Sequence, residues 1–328
     1  MSSKRVNVRA ALVVGLVVVP LAAMAQSRQL VIIASGWVVG VYYPIAGVMS
    51  RIAYEARDLN IRAVVESSGA SVANAQLVGA GDADLALIQN DIAYYAARGG
   101  PLPEFRGKPV TKLAGMFTIY PEAVHILARQ ASGVKSVPDL KGKRVVLGPP
   151  ASGTEQNALQ ILEAYGLRES DLGKAERIDA VAAATQMREG QVDAVFFTTG
   201  VGSAVVADTL RVGQARLVGI AAAQAEALRR KYPFYTVEKI PAGAYKGLAD
   251  DTTTLAVRAM VVARSDLPED LVYRFTKAIF ENLGQFHAAD TAAKNLTLAT
   301  ALSGMPIALH PGAARFFRER GVSLKEVP

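Results

Sequence analysis

GDADLALIQND, residues 81–91, and GQVDAVFFTTG, residues 190–200, follow one plan. Each begins with a glycine and places an aspartate three residues on, at Asp84 and Asp193. An apolar run and a polar loop follow. A short run that is apolar on both faces is what a parallel strand covered by helices requires. Each stretch also closes a longer unit of strand, Ser/Gly-rich loop and helix: IRAVV-ESSGAS before the first, RVVLG-PPASGT before the second. Two similar α/β halves account for this echo. So does chance likeness among α/β segments, and the pattern leaves both open.

Outward from these stretches the alternation continues. LVIIA (30–34) precedes a helix near 44–57, IRAVV one near 72–78, and DLALI (84–88) one over 91–98. KRVVLG (143–148) precedes a helix over 154–165, and DAVFF (193–197) one near 202–210. Alternating strands and helices argue for an α/β protein with parallel sheets. Two longer Val-rich runs, 113–129 and 253–264, are expected to pair as two crossings between the halves. After them, residues 268–286 read as one amphipathic helix with Asp266 as N-cap and Leu271, Phe275, Ile279 and Leu283 in a stripe.

The chain has 328 residues and no cysteine, which removes thiol nucleophiles and Cys-ligated metal sites. Lys4, Arg5 and Arg9, the apolar run 10–23 and Ala23-Met24-Ala25 read as a secretory signal peptide cleaved after Ala25. Without its three basic residues the formal charge of +7 becomes +4. No basic cluster marks a nucleic-acid footprint. The remaining length suits two domains.

In open α/β sheets ligands bind beyond the carboxyl ends of the strands, where helix N-termini present free N–H groups. Five loops fit that place: 35–43, 67–71, 89–91, 149–154 and 198–200. Ser152-Gly153-Thr154 reads as an anion seat or as an ordinary helix cap. In SGWVVGVYYP (35–44), Trp37, Tyr42 and Tyr43 supply an apolar wall with polar tips, and Ser35 or Tyr42 a ligand hydrogen bond, although packing under the fold suits Tyr43 better. Enzyme signatures are missing: no phosphate loop and no G-x-S-x-G elbow occur. His125, His287 and His310 have no metal-ligand spacing, and His125, on an apolar run, reads as structural. Asp82, Asp84 and Asp193 suit turns and caps.

The ordered set SG-x3-GVYYP, SSGASVAN, GDADLALIQND, LAGMFTIYPEAVHILAR, DLKGKRVVLGPPASGT, GQVDAVFFTTG, IPAGAYKG and LHPGAARFFRERG, spanning about 30–321, resembles the TAXI family. These are extracytoplasmic solute receptors of tripartite ATP-independent periplasmic (TRAP) transporters. The resemblance implies a type II periplasmic binding protein fold: two lobes with mixed, mostly parallel sheets joined by a two-crossing hinge. It places lobe 1 in 26–119, lobe 2 with the hinge strands in 120–263, and C-terminal helices returning to lobe 1 in 264–328. It implies a periplasmic, non-enzymatic protein without cofactor or metal, which delivers a small organic anion or amino acid to an ion-gradient-driven permease. The ligand-binding residues it implies are Ser35, Trp37 and Tyr42; Ser68 and Ser71; Gln89, Asn90 and Asp91; Ser152, Gly153 and Thr154; and Thr198 and Thr199. Trp37 and Val38 are bulkier than the family pattern, Ala70 stands where glycine is common, and Phe316-Phe317 replaces Tyr-Tyr. A hydrolase or lyase using the Ser152 loop, or a receptor for a signalling protein, are the competing readings.

Overall fold

The computed structural model describes residues 28–212, 214–325 and 327–328. The expected signal peptide and its cleavage site lie outside the described residues. The strands are β1 (Gln29–Ala34), β2 (Ile61–Glu66), β3 (Leu85–Gln89), β4 (Leu113–Arg129), β5 (Arg144–Val146), β6 (Lys174–Glu176), β7 (Ala194–Thr199), β8 (Ala215–Val218), β9 (Thr236–Ile240) and β10 (Thr252–Arg264). The helices are α1 (Tyr42–Glu55), α2 (Ser71–Ala80), α3 (Asn90–Arg98), α4 (Gly153–Ala164), α5 (Ala180–Arg188), α6 (Ala204–Val212), α7 (Ala222–Lys231), α8 (Glu269–Glu281), α9 (Leu283–His287) and α10 (Pro311–Glu319).

Strand order along the sheet is β2-β1-β3-β10-β4-β7-β5-β6, with β8 joined to β4 and β9 to β10. β1 pairs in parallel with β2 and β3, and β5 with β6 and β7. Every antiparallel ladder runs through β4 or β10. The result is a mixed α/β fold: two groups of parallel strands on either side of a long antiparallel pair. β4 has 17 residues and spans roughly 55 Å at 3.3 Å per residue. That length serves both halves. Leu113–Ala123 pairs with β10, and Ala123–Ala128 pairs with β7. β10 does the converse, meeting β3 at one end and β9 at the other. The β4–β10 register slips between Arg258 and Met260, beside Pro121, which has no N–H to give to the ladder.

The echo in the sequence has a structural counterpart. Asp84 Oδ2 accepts the N–H of Ile32 at 2.8 Å, and Asp193 Oδ2 accepts that of Arg144 at 3.0 Å. Arg264, at the end of β10, donates its N–H to Asp84 O and sets its guanidinium 3.1 Å from Asp84 Oδ1. Arg129, at the end of β4, donates its N–H to Asp193 O and sets its guanidinium 3.6 Å from Asp193 Oδ1. The same clamp in both halves decides for two similar units over chance.

The C-terminal segment differs from its sequence reading. It is two helices, α8 and α9, broken at Asn282, whose side chain donates to Ala278 O. Pro268 takes the N-cap position, while the Asp266 carboxylate is held by Arg264 at 2.5 Å. Buried Phe275, Phe316 and Phe317 join α8 and α10 to the core of α1, β1 and β3. Among the described residues, no helix is long and apolar enough to cross a membrane.

Candidate functional site

The carboxyl ends of β1, β2 and β3 are sewn together by side chains. Ser35 Oγ donates to Glu66 O at 2.7 Å, and Asn74 Nδ2 reaches Ser35 O at 2.5 Å and Leu87 O at 2.7 Å. Ser68 Oγ bonds Asn74 Oδ1 at 2.6 Å and accepts the N–H of Ala70. Ala70 itself has φ 74°, a backbone state that suits glycine, and it sets the start of α2. Its departure from the family pattern therefore places a methyl group on the cleft wall and strain in the backbone.

The two halves then repeat one device. The N–H of Gln89 donates to Ser71 Oγ at 3.1 Å, and the N–H of Thr198 donates to Thr154 Oγ1 at 3.2 Å. Each bond ties the end of a strand to the first turn of a helix, α2 or α4. Between these two corners lies a cleft with an empty volume of about 520 Å³, counting the part open to solvent. Nine of the thirteen candidate residues line it: Trp37, Tyr42, Ser71, Gln89, Ser152, Gly153, Thr154, Thr198 and Thr199. Trp37 also packs against the apolar cluster of the second half, which contains Phe197.

Four candidates do not reach the wall. Ser35 and Ser68 serve the loop stitching described above. Asn90 accepts the N–H of Arg258 at 2.9 Å, at the slip in the crossing, and donates to Gly304 O at 3.1 Å. Asp91 accepts from Asn157 Nδ2 at 2.7 Å and from the N–H of Ile92 at 2.8 Å. Burial pushes its carboxyl up to about 7.

The hydroxyls of the Ser152 loop are already engaged. Ser152 Oγ donates to Pro149 O at 2.7 Å and accepts the N–H of Glu155 at 3.2 Å, so it is a helix cap. What α4 offers a ligand is the N–H groups of Gly153 and Thr154, which have no partner within a helix, the Glu155 N–H being taken by Ser152. Two fully buried side-chain atoms of wall residues stand without a hydrogen bond: Gln89 Oε1 and Thr198 Oγ1. The residues are 3% and 7% exposed. A side chain at Gly153 would overlap the Gln89 carboxamide, so glycine is required there by close approach.

The sequence reading missed Glu122 and Tyr120, which reach the cleft from β4. Glu122 is 3% exposed, and its carboxyl accepts from Tyr42 Oη at 2.7 Å and from Tyr120 Oη at 3.4 Å. Burial pushes it up to about 8, against the pull of those two hydroxyls. The available signal was a lone carboxylate in the 17-residue apolar run LAGMFTIYPEAVHILAR. His125, on the same strand, is structural: it contacts Ala123 O through Nδ1 at 2.9 Å and Tyr245 Oη through Nε2 at 2.8 Å. Burial pushes it down to about 4. Among the described residues no group of three or more His, Cys, Asp or Glu is placed to hold a metal. Nor does any Lys or Arg among them line the cleft.

Residues 33–321 match the model of the NMT1-like family. The chain belongs to that family. Among solved structures it is similar to MatC from Rhodopseudomonas palustris with bound malate. There the identity is 14%, 89% of this chain and 97% of that chain are covered, and the TM-score is 0.56. It is also similar to PhnD1 from Prochlorococcus marinus in complex with methylphosphonate, at 12% identity, 90% and 99% coverage and a TM-score of 0.55. These likenesses establish the architecture as that of type II periplasmic binding proteins.

Proposed function

We propose that this chain is the periplasmic solute-binding subunit of a TRAP transporter of the TAXI type. It captures a small organic anion or amino acid, of the acidic amino acid, dicarboxylate or 2-oxoacid kind, and hands it to an ion-gradient-driven permease. The observation that carries this reading is a pair of buried oxygens without a hydrogen-bond partner, Gln89 Oε1 and Thr198 Oγ1, on the two residues that the halves contribute to the wall of one cleft. A buried polar atom without a partner costs about 1–3 kcal/mol, and a ligand that bonds it recovers that cost. Supplying one such atom from each half makes the ligand the element that joins them.

The halves act as lobes, with lobe 1 in 26–119, lobe 2 in 120–263 and the C-terminal helices of 264–328 docked on lobe 1. The register slip at Arg258–Met260 is the flexing point of the crossings. MatC and PhnD1 hold malate and methylphosphonate, small anions of the size class proposed for this cleft. The TAXI assignment rests on the ordered motifs from Leu30 to Gly321. The hydrolase reading loses support because the Ser152 hydroxyl donates to Pro149 O and caps α4.

A thermal-shift screen of residues 26–328, refolded to strip carried solute, tests the reading. The panel holds acidic amino acids, 2-oxoacids, C4–C6 dicarboxylates, aromatic acids and neutral amino acids. A ligand at about 1,000 times its Kd adds about 4 kcal/mol. A shift with at least one of these solutes is expected, and a flat response across the panel counts against the receptor.

A further inference from the structure

We propose that Glu122 is an ammonium-recognition residue, and that the cleft therefore selects solutes carrying an amino group beside their carboxylate over ammonium-free acids. The inference rests on the solute-receptor reading and narrows its ligand class.

The chemistry of the wall carries it. An ammonium group has three N–H donors and no acceptor. The cleft offers it three oxygens: the Glu122 carboxyl, Gln89 Oε1 and Thr198 Oγ1, the last two without any hydrogen bond inside the protein. Aromatic side chains of Trp37, Tyr42, Tyr120 and Phe197 share the same wall, and ring faces attract cations. The carboxylate of a zwitterion has a separate seat in the Gly153 and Thr154 N–H groups of α4, where the helix dipole favours negative charge. A dicarboxylate would meet no cationic side chain and would bring two negative charges to a wall that already holds a carboxyl.

The protonation of Glu122 fits this role. The groups that face it are Tyr42 from α1 and Tyr120 from β4, both donating hydroxyls, and Asp91 from α3, whose charge acts at longer range. Asp290 acts on Tyr120. In the empty cleft burial holds the Glu122 proton up to about pH 8. An ammonium group replaces that proton as the partner of the carboxylate, so its binding releases a proton at pH 7. An ammonium-free acid gives no such release, because it favours the neutral form.

Titration calorimetry on refolded residues 26–328 with matched probes tests the proposal. The pairs are L-glutamate with glutarate, L-leucine with 4-methylpentanoate, and L-phenylalanine with 3-phenylpropanoate. Each is measured at pH 7 in two buffers of different ionisation enthalpy. The expected result is at least one pair in which the amino acid binds thirtyfold or more tightly than its deamino partner, with protons released. Glu122→Gln, isosteric, accepts from one tyrosine through its amide oxygen and donates to the other through its NH2, and is expected to cut that ratio to within about threefold. If the variant does not fold by circular dichroism, proton release and the matched ratio in the wild type decide alone. A deamino acid that binds as tightly as its amino acid, or a ratio unchanged in Glu122→Gln, overturns the role of Glu122 and leaves the receptor reading standing. Binding of none of the six probes overturns the amino-acid selectivity, and a flat response across the thermal-shift panel as well overturns the receptor reading.

Discussion

Gln89 and Thr198 occupy equivalent places in the two halves of the protein, each eight residues after the glycine that opens its repeat, Gly81 or Gly190. Each donates its backbone N–H to a hydroxyl in the first turn of a helix, and each leaves its side-chain oxygen unpartnered in the same cleft. The backbone bond holds the corner of the cleft, and the side chain is left for the solute.

That division predicts opposite effects on stability and on binding. Thr198→Val removes a hydroxyl that has no partner in the empty protein, at nearly constant shape. The melting temperature of the empty protein is expected to stay level or rise. Affinity for the solute found in the screen is expected to fall by about 1–2 kcal/mol, roughly five- to thirtyfold. Calorimetric titration and a melt of the same preparation check both. A drop in stability without a loss of affinity would show that the hydroxyl serves the fold.

Gly153→Ala tests the close approach at α4. The new methyl group would displace the Gln89 carboxamide. Overpacking of this kind costs about 1–3 kcal/mol, and the displaced amide no longer faces the solute. Lower stability and loss of binding together are expected, read by chemical denaturation and titration. Wild-type affinity in this variant would remove Gln89 from the site.

Ala70→Gly tests the backbone at the start of α2. A non-glycine residue at φ 74° and ψ −143° stores about 1–3 kcal/mol of strain, and glycine in the unfolded chain returns about 0.5–1 kcal/mol of that gain. A net gain of about 1 kcal/mol is expected in urea unfolding. Equal or lower stability would show that the loop holds Ala70 without strain.

The pH dependence of the empty protein has a defined sign. Glu122 titrates near 8 when folded against an ordinary 4.5, so the folded chain binds the extra proton across that window. Stability is complete below about 4.5 and is lost as pH rises through 8. Asp91, raised from 3.8 to about 7, acts in the same direction. His125, lowered from 6.5 to about 4, acts in the opposite one, costing stability as pH falls through that range. Melting temperature is therefore expected to decline from pH 6.5 to 8.5. Glu122→Gln should flatten the decline by an amount on the order of a few kcal/mol. Parallel curves for wild type and variant would place Glu122 in contact with water.

The amino-acid sequence alone determined five strand-then-helix units, the two long runs that cross between the halves, the repeated Gly-x-x-Asp turns and the five loops at strand ends, while the short strands β6, β8 and β9 and the helices α5 and α7 came from the structure. These are local or periodic properties: alternation, β-branching and turn chemistry act within a few residues and leave their mark on the chain. The sequence also placed Gln89 and Thr198 on candidate loops, because both follow an apolar run that a parallel strand requires. Tertiary structure decided which residues of those loops face the cleft. Ser35, Ser68, Asn90 and Asp91 carry the right chemistry but spend it on Glu66, Asn74, Arg258 and Asn157, partners up to 168 positions away. It also brought Glu122 to Tyr42 across 80 residues. Hydrogen bonds of that reach, and the burial that raises the affinity of a carboxylate for its proton, exist only once the sheet has assembled.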